Sequence, residues 1–222
     1  MRPLDAAAIA QGAHELSARD PALARIVAER GLPPLWGREP GFATLLLIIL
    51  EQQVSLASAR KTFERLQVVV GELTPARLLA LDDATLGAAG FSRQKSSYAR
   101  GLAADLVSGA FDFDALATMD DAQAFARLVA LHGVGPWSAN IYLLMALRRP
   151  DVWPAGDLAL IVGAQIIWEL AERPTAGYVA ERAAAWSPWR SVAARLLWSE
   201  YLARQRAGTL PRPNQPRRAH RE

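Results

Sequence analysis

The chain has no cysteine, few histidines and almost no lysine. Without cysteine there can be no disulfide, thiolate zinc site, iron–sulfur cluster or cysteine nucleophile. His14, His132 and His220 are too scattered to suggest a histidine metal centre. The only lysines are Lys61 and Lys95, which leaves few candidates for an amine nucleophile. Long apolar runs are also missing. Leu45–Leu50, an unbroken run of Leu and Ile, falls far short of the roughly 20 residues that a membrane span needs. The opening MRPLDAAAIAQGAHEL carries Asp5 and Glu15 and does not read as a secretory signal, so an intracellular, cytoplasmic and nucleoid-associated protein is expected, without membrane attachment. Alternating strand patterns rich in Val, Ile and Thr are absent as well.

A one-sided charge is missing from most of the chain. The formal net charge is +3, but Arg212, Arg217, Arg218 and Arg221 lie against Glu222 in the last twelve residues, and Met1–Leu210 then holds 21 groups of each sign. A polybasic, histone-like body is excluded. Any nucleic-acid contact must come from a local surface. With 51% hydrophobic and 21% charged residues, the composition is that of a globular chain, long enough to bury a core without staples.

What is present is helical. Ala, Leu, Arg and Glu dominate with a 3.6-residue period. The pattern predicts about a dozen helices, among them Asp5–Leu16, Gly41–Gln52, Ser55–Val70, Ser92–Val107, Pro136–Leu147, Asp157–Leu170 and Pro188–Arg206. Asp20 with Pro21, and Ser55, read as helix starts. The loop GLPPLWGREP interrupts the early helices, and PRPNQPRRAHRE closes the chain.

The most informative segment is Leu128–Leu144, LVALHGVGPWSANIYLL. Two apolar helical stretches meet at His132-Gly133-Val134-Gly135-Pro136. The glycines can take positive φ in a tight turn, Val134 can plug the seam between the helices, and Pro136 has no N–H to lose at a helix start. The outward N–H groups of such a hairpin can receive phosphate oxygens. His132, Gly133, Val134, Gly135 and Ser138 are therefore the expected contacts to a DNA backbone. An ordinary helical hairpin has the same local pattern, since short glycine motifs are weak signals.

Further on, Asp151-Val-Trp-Pro-Ala-Gly-Asp157 leads into LALIVGAQIIWEL. Asp157 suits an N-cap, the usual task of Asp at such a place. It also suits a catalytic carboxylate facing a developing positive charge, and one residue can do both.

The hairpin, the Pro/Gly loop and the following Asp resemble the helix-hairpin-helix/Gly-Pro-Asp superfamily of DNA glycosylases, and within it the 3-methyladenine DNA glycosylase II group. Three further stretches are similar to the family in order: GFATLLLIILEQQVSLASARKTFERL (41–66), GFSRQKSSYARGLA (90–103) and WSPWRSVAARLLW (186–198). The resemblance implies an all-α, two-lobed helical bundle with a cleft between the lobes. Residues 41–147 would form the central lobe with the hairpin at 132–136, 1–40 plus 148–210 the second lobe, and 211–222 a basic flexible tail.

The resemblance also implies a chemistry. A monomer would bind double-stranded DNA, flip out a damaged base and hydrolyse its N-glycosidic bond, with Asp157 as the catalytic residue. Alkylated purines of the 3-methyladenine and 7-methylguanine class are the expected substrates. Deaminated or oxidised bases, and a non-catalytic DNA-structure-binding role, are the alternatives. Trp137 stands where strand-cutting members carry a lysine, so an abasic site without lyase cleavage is expected. Trp137, Trp198, Tyr142 and Ile141 are implied to line the base pocket, where indole faces attract a cationic base; Ile141 stands where some members have Tyr. Trp168 and Trp186 fit core packing better. Gln53 is implied as the wedge that fills the space of the flipped base. No cofactor is implied to be required. The backbone carbonyls of Val129, Leu131 and Val134 are implied to hold a structural Na or K ion.

Overall fold

The computed structural model describes residues 3–211, and the arginine-bearing tail beyond Pro211 lies outside them. Among the described residues there are thirteen α-helices and no strand: α1 (Ala6–Arg19), α2 (Pro21–Arg30), α3 (Phe42–Glu51), α4 (Leu56–Val70), α5 (Pro75–Leu79), α6 (Asp83–Ala89), α7 (Arg93–Val107), α8 (Phe113–Thr118), α9 (Asp121–Val129), α10 (Pro136–Met145), α11 (Leu158–Ile167), α12 (Ala176–Ala183) and α13 (Arg190–Ala207). A short 3₁₀ turn, Ala184–Trp186, precedes α13. The expected all-α class holds. Among the described residues, no helix is long and apolar enough to cross a membrane.

Local chemistry sets most helix starts. Asp5, Asp20, Ser55, Thr74, Asp82, Ser92, Asp112, Asp120, Asp157 and Thr175 each accept a first-turn N–H through the side chain. Such caps satisfy donors that the helix itself cannot. Helices α3 and α10 begin at glycine instead, at Gly41 and Gly135, with no side-chain cap.

The chain forms two compact units. One is built on Trp36–Pro154; the other combines Leu4–Leu35 with the described residues from Ala155 to Pro211. The first unit is wider than the 41–147 reading, for two reasons. Arg38 donates its backbone N–H to the Met145 carbonyl at 2.9 Å and grips Glu51 through both guanidinium nitrogens, which binds the segment before α3 to this unit. Arg149, 4% exposed, donates to the carbonyls of Leu116 and Met119 and pins the segment after α10.

The core of the first unit is the apolar run of α3, with Leu45, Leu46, Ile48, Ile49 and Leu50 all buried. The second unit is organised around α13, in which every residue from Ser191 to Trp198 is buried. A helix buried on all sides belongs at the centre of a bundle. Helix α11 packs against it through Gly163, where an added Cβ would lie 3.1 Å from both the Leu197 Cβ and its carbonyl oxygen. Arg195 of α13 is fully buried, and its Nε donates to the Leu35 carbonyl at 2.9 Å. Burial pushes its guanidinium down to about 10.

Candidate active site

The candidate residues fall into both units. In the first, α9 and α10 are joined by the turn His132–Gly135. Val134 is buried at 4% exposure, its N–H donating to the Leu131 carbonyl at 3.1 Å, so it plugs the seam as its position suggests. Gly133 alone of the two glycines takes positive φ, at 85°. It has a second constraint: an added Cβ would fall 2.1 Å from the Tyr98 ring of α7, so only glycine fits. Gly135 differs from expectation. Its φ is −87°, open to any residue, and nothing lies within 4 Å of a Cβ built there. Its lack of a side chain leaves open space in front of the uncapped start of α10, where a phosphate can approach backbone N–H groups. His132 is exposed, with its ring edge-on to Tyr98 at 4.9 Å between centroids.

Ser138, in the first turn of α10, turns its side chain inward. It is 2% exposed, and its Oγ accepts a hydrogen bond from Gln52 Nε2 at 2.9 Å. Tyr142, expected beside Ile141 in the base pocket, has its hydroxyl and ring engaged within the core. It is fully buried, its hydroxyl accepts the Gly41 N–H at 2.8 Å, and its ring stacks with Phe113 at 5.5 Å. Burial holds its phenol well above the usual tyrosine range. It caps the start of α3 from inside the core. Ile141 is buried at 4% exposure, and Trp137, the second residue of α10, is half-buried.

Gln53 sits in the turn between α3 and α4, exposed, with φ of 59°. Left-handed backbone at a residue other than glycine costs energy and marks a place held by its surroundings. Val54 beside it is 44% exposed. Ser55 caps α4 as expected, accepting the Ser58 N–H at 3.2 Å. Lys95 is not a solvated cation: its Nζ donates to the Leu50 carbonyl in the last turn of α3, and burial lowers its pKa. Val129 closes α9, so its carbonyl is among the last four of the helix, which have no partner within the helix's own ladder.

In the second unit, Asp157 is the N-cap of α11. Its Oδ1 accepts the Leu160 N–H at 3.0 Å and the indole N–H of Trp198 at 3.1 Å. One donor is local and the other comes from α13. Together they fix the orientation of the half-buried carboxylate. Trp198 is 8% exposed. Trp168 and Trp186 pack against each other at 5.8 Å between ring centroids; Trp186 is buried as a core residue, whereas Trp168 is half-buried with the Arg182 guanidinium 4.0 Å above its ring.

Residues 46–189, more than half of the chain, match the model described as HhH-GPD superfamily base excision DNA repair protein. This chain belongs to the HhH-GPD superfamily.

It is similar to proteins named as glycosylases. A DNA-3-methyladenine glycosylase of Bacillus subtilis is 33% identical over 105 residues, 47% of this chain and 35% of that protein. DNA-3-methyladenine glycosylase 2 of Escherichia coli is 28% identical over 188 residues, 80% of this chain and 64% of that protein. The chain thus matches about a third to two thirds of the length of these relatives. The solved 3-methyladenine DNA glycosylase of Schizosaccharomyces pombe, in complex with abasic DNA, superposes with a TM-score of 0.75 at 25% identity, covering 85% of this chain and 95% of that one. The resemblance drawn from the motifs is borne out at the level of the family.

Three neighbours of the candidate residues escaped sequence reasoning: Gln52, Tyr98 and Trp198 as a carboxylate partner. Gln52 carried a faint signal as the first of the Gln-Gln pair. The other two act through tertiary contacts.

Proposed function

We propose that this protein is a monofunctional DNA glycosylase of base excision repair, acting on alkylated purines of the 3-methyladenine and 7-methylguanine class. The observation that carries the reading is the Asp157 carboxylate, fixed on Oδ1 by Leu160 and Trp198 in a member of the HhH-GPD superfamily. Similarity to glycosylases named for 3-methyladenine supports the substrate class.

The chemistry follows from the residues. A base stacked in a duplex is out of reach, so the nucleotide must be turned out first. Methylation at N3 of adenine or N7 of guanine makes the base cationic. When the C1′–N bond breaks, its electron pair goes to the base, which leaves neutral, while positive charge passes to the sugar. An oriented carboxylate stabilises that charge without reorganising. Water then adds at C1′ and gives up its proton, with Asp157 as the base, leaving an abasic site. The cationic lesion favours an indole face, worth about 0.5–2 kcal/mol. Trp198 supplies one beside the carboxylate, and Trp137 and Ile141 are further proposed contacts of the base.

The backbone grip is assigned to His132, Gly133, Val134 and Gly135. The carbonyls of Val129, Leu131 and Val134 would hold a monovalent cation, which would add positive charge beside the phosphates. Gln53 is the proposed wedge. The protein would act as a monomer on chromosomal DNA inside the cell. The test is release of free base from methylated, ethenylated and deaminated duplexes. Release of 3-methyladenine or 7-methylguanine supports the reading; release of deaminated bases alone moves the substrate class, and no release from any of them leaves only DNA binding.

A further inference from the structure

The turn between α3 and α4 is held in an unusual way. Helix α3 ends without a glycine, at Gln52, and the next residue, Gln53, stands exposed at a φ of 59° that residues with a side chain rarely adopt. Such a conformation persists only where its surroundings over-determine it. Those surroundings are side chains from other helices. The Gln52 carboxamide spends both of its N–H donors, one on the Gly133 carbonyl at 2.8 Å and one on Ser138 Oγ at 2.9 Å. The first acceptor is in the hairpin turn and the second in the first turn of α10. Lys95, from α7, binds the Leu50 carbonyl on the same helix end. The same α7 places the Tyr98 ring under Gly133. The end of α3 that carries the Gln53–Val54 tip and the hairpin therefore belong to one hydrogen-bonded cluster, although about 80 residues separate them in sequence.

We propose that Gln52 is a positioning residue that ties the hairpin, seated on the phosphate backbone, to the Gln53–Val54 tip, so that gripping the duplex sets the tip in place to fill the space of an extruded base. This rests on the base-excision reading above. The physical logic is geometric. A hairpin held by phosphates fixes the Gly133 carbonyl in space. Through two hydrogen bonds that carbonyl and Ser138 fix Gln52, and the covalent chain fixes Gln53. Because Ser138 is almost fully buried, water does not readily replace its bond. Gln53 touches the DNA; Gln52 acts only through it.

The test is Gln52→Met, which keeps an unbranched side chain of similar length and removes both donors. Single-turnover release of 7-methylguanine should fall about tenfold on a fully paired duplex, the loss expected when hydrogen bonds that set a reactive geometry are removed. Release from the same lesion in a single strand, where no base partner has to be displaced, should be unchanged. Affinity for a duplex carrying a tetrahydrofuran abasic analogue should be close to that of the native protein. Combining Gln52→Met with Gln53→Ala should cost no more than Gln53→Ala alone. Ser138→Ala, which removes one acceptor, should shift paired-duplex release in the same direction by less. Equal losses on paired and single-stranded substrate, or additive losses in the double variant, would overturn the proposal, since a general structural defect gives those results. A readout without turnover separates it from the glycosylase reading: fluorescence of 2-aminopurine placed beside the tetrahydrofuran site. The native protein should raise it by unstacking the neighbour, and Gln52→Met should raise it less. If no base is ever released but this difference persists, the glycosylase reading fails and the role of Gln52 stands. If the two proteins give the same fluorescence, the role of Gln52 is wrong.

Discussion

Trp198 donates its indole N–H to the Asp157 carboxylate at 3.1 Å, across 41 positions of sequence. That bond fixes the carboxylate from a helix buried at the centre of its unit. Gly163 lets α11 approach Leu197 closely, and the neighbouring Trp198 then reaches the start of α11. A hydrogen bond to an ionised carboxylate contributes about 1.5–3 kcal/mol.

Trp198→Phe keeps an aromatic face and removes only the donor. The rate of base release should fall by about one to two orders of magnitude if the oriented carboxylate acts in the transition state. Single-turnover kinetics at saturating enzyme measure it, and a variant with native rate would show that the bond does not orient the reacting group.

Gly133→Ala should be destabilising for two separate reasons. The Tyr98 ring occupies the space, an overpacking cost of roughly 1–3 kcal/mol, and the positive φ adds roughly 1–2 kcal/mol. Thermal denaturation should show a lower Tm, and duplex binding should weaken. Adding Tyr98→Ala should recover part of the stability by vacating the space. Recovery of all of it would mean that the backbone conformation carries no cost.

Much of this was legible in local sequence. Asp20-Pro21, Ser55 and Asp157 announced helix starts, because capping needs only a short polar side chain next to an apolar period. Val134 and Pro136 announced the hairpin because an apolar plug and a residue with no N–H to lose suit such a turn. What was hidden depends on partners distant in sequence. Tyr142 follows Ile141 in a stretch that resembles a pocket wall, yet its hydroxyl is consumed by Gly41. Ser138 stands at a helix start, where serines often face solvent, and is buried under Gln52. Between Gln52 and Gln53 nothing in composition says which side chain turns inward. The φ of a single residue decides it.

Acid should weaken the second unit through Glu200. The residue is 3% exposed and accepts from Arg30 Nε at 2.9 Å and Arg204 Nε at 2.7 Å. Burial alone would raise its pKa, but the hydrogen bonds and charges of the two arginines together outweigh it and hold the carboxyl below the ordinary range. A carboxyl depressed in the folded state contributes stability that is complete above the unfolded value, about 4.3, and is lost as pH falls through the folded one. Urea unfolding between pH 3 and 7 should show this acid limb in the native protein and a smaller one in Glu200→Gln. Identical pH profiles would contradict the assignment.

The product strand should remain whole. Trp137 offers no amine, and Lys95, one of only two lysines, is engaged with the Leu50 carbonyl. Denaturing electrophoresis should show intact DNA after base release, with cleavage only on treatment with alkali or heat. Direct nicking, or trapping of a covalent adduct by borohydride, would contradict this.

The most direct test of the account is base release by Asp157→Asn. Asparagine is as good an N-cap as aspartate, so α11 should keep its start and the fold its stability. What changes is the charge facing the developing cation. The native protein should release 3-methyladenine or 7-methylguanine from methylated duplex DNA. The variant should bind the same DNA with native affinity and release no base. Release by the variant at the native rate would contradict the central claim.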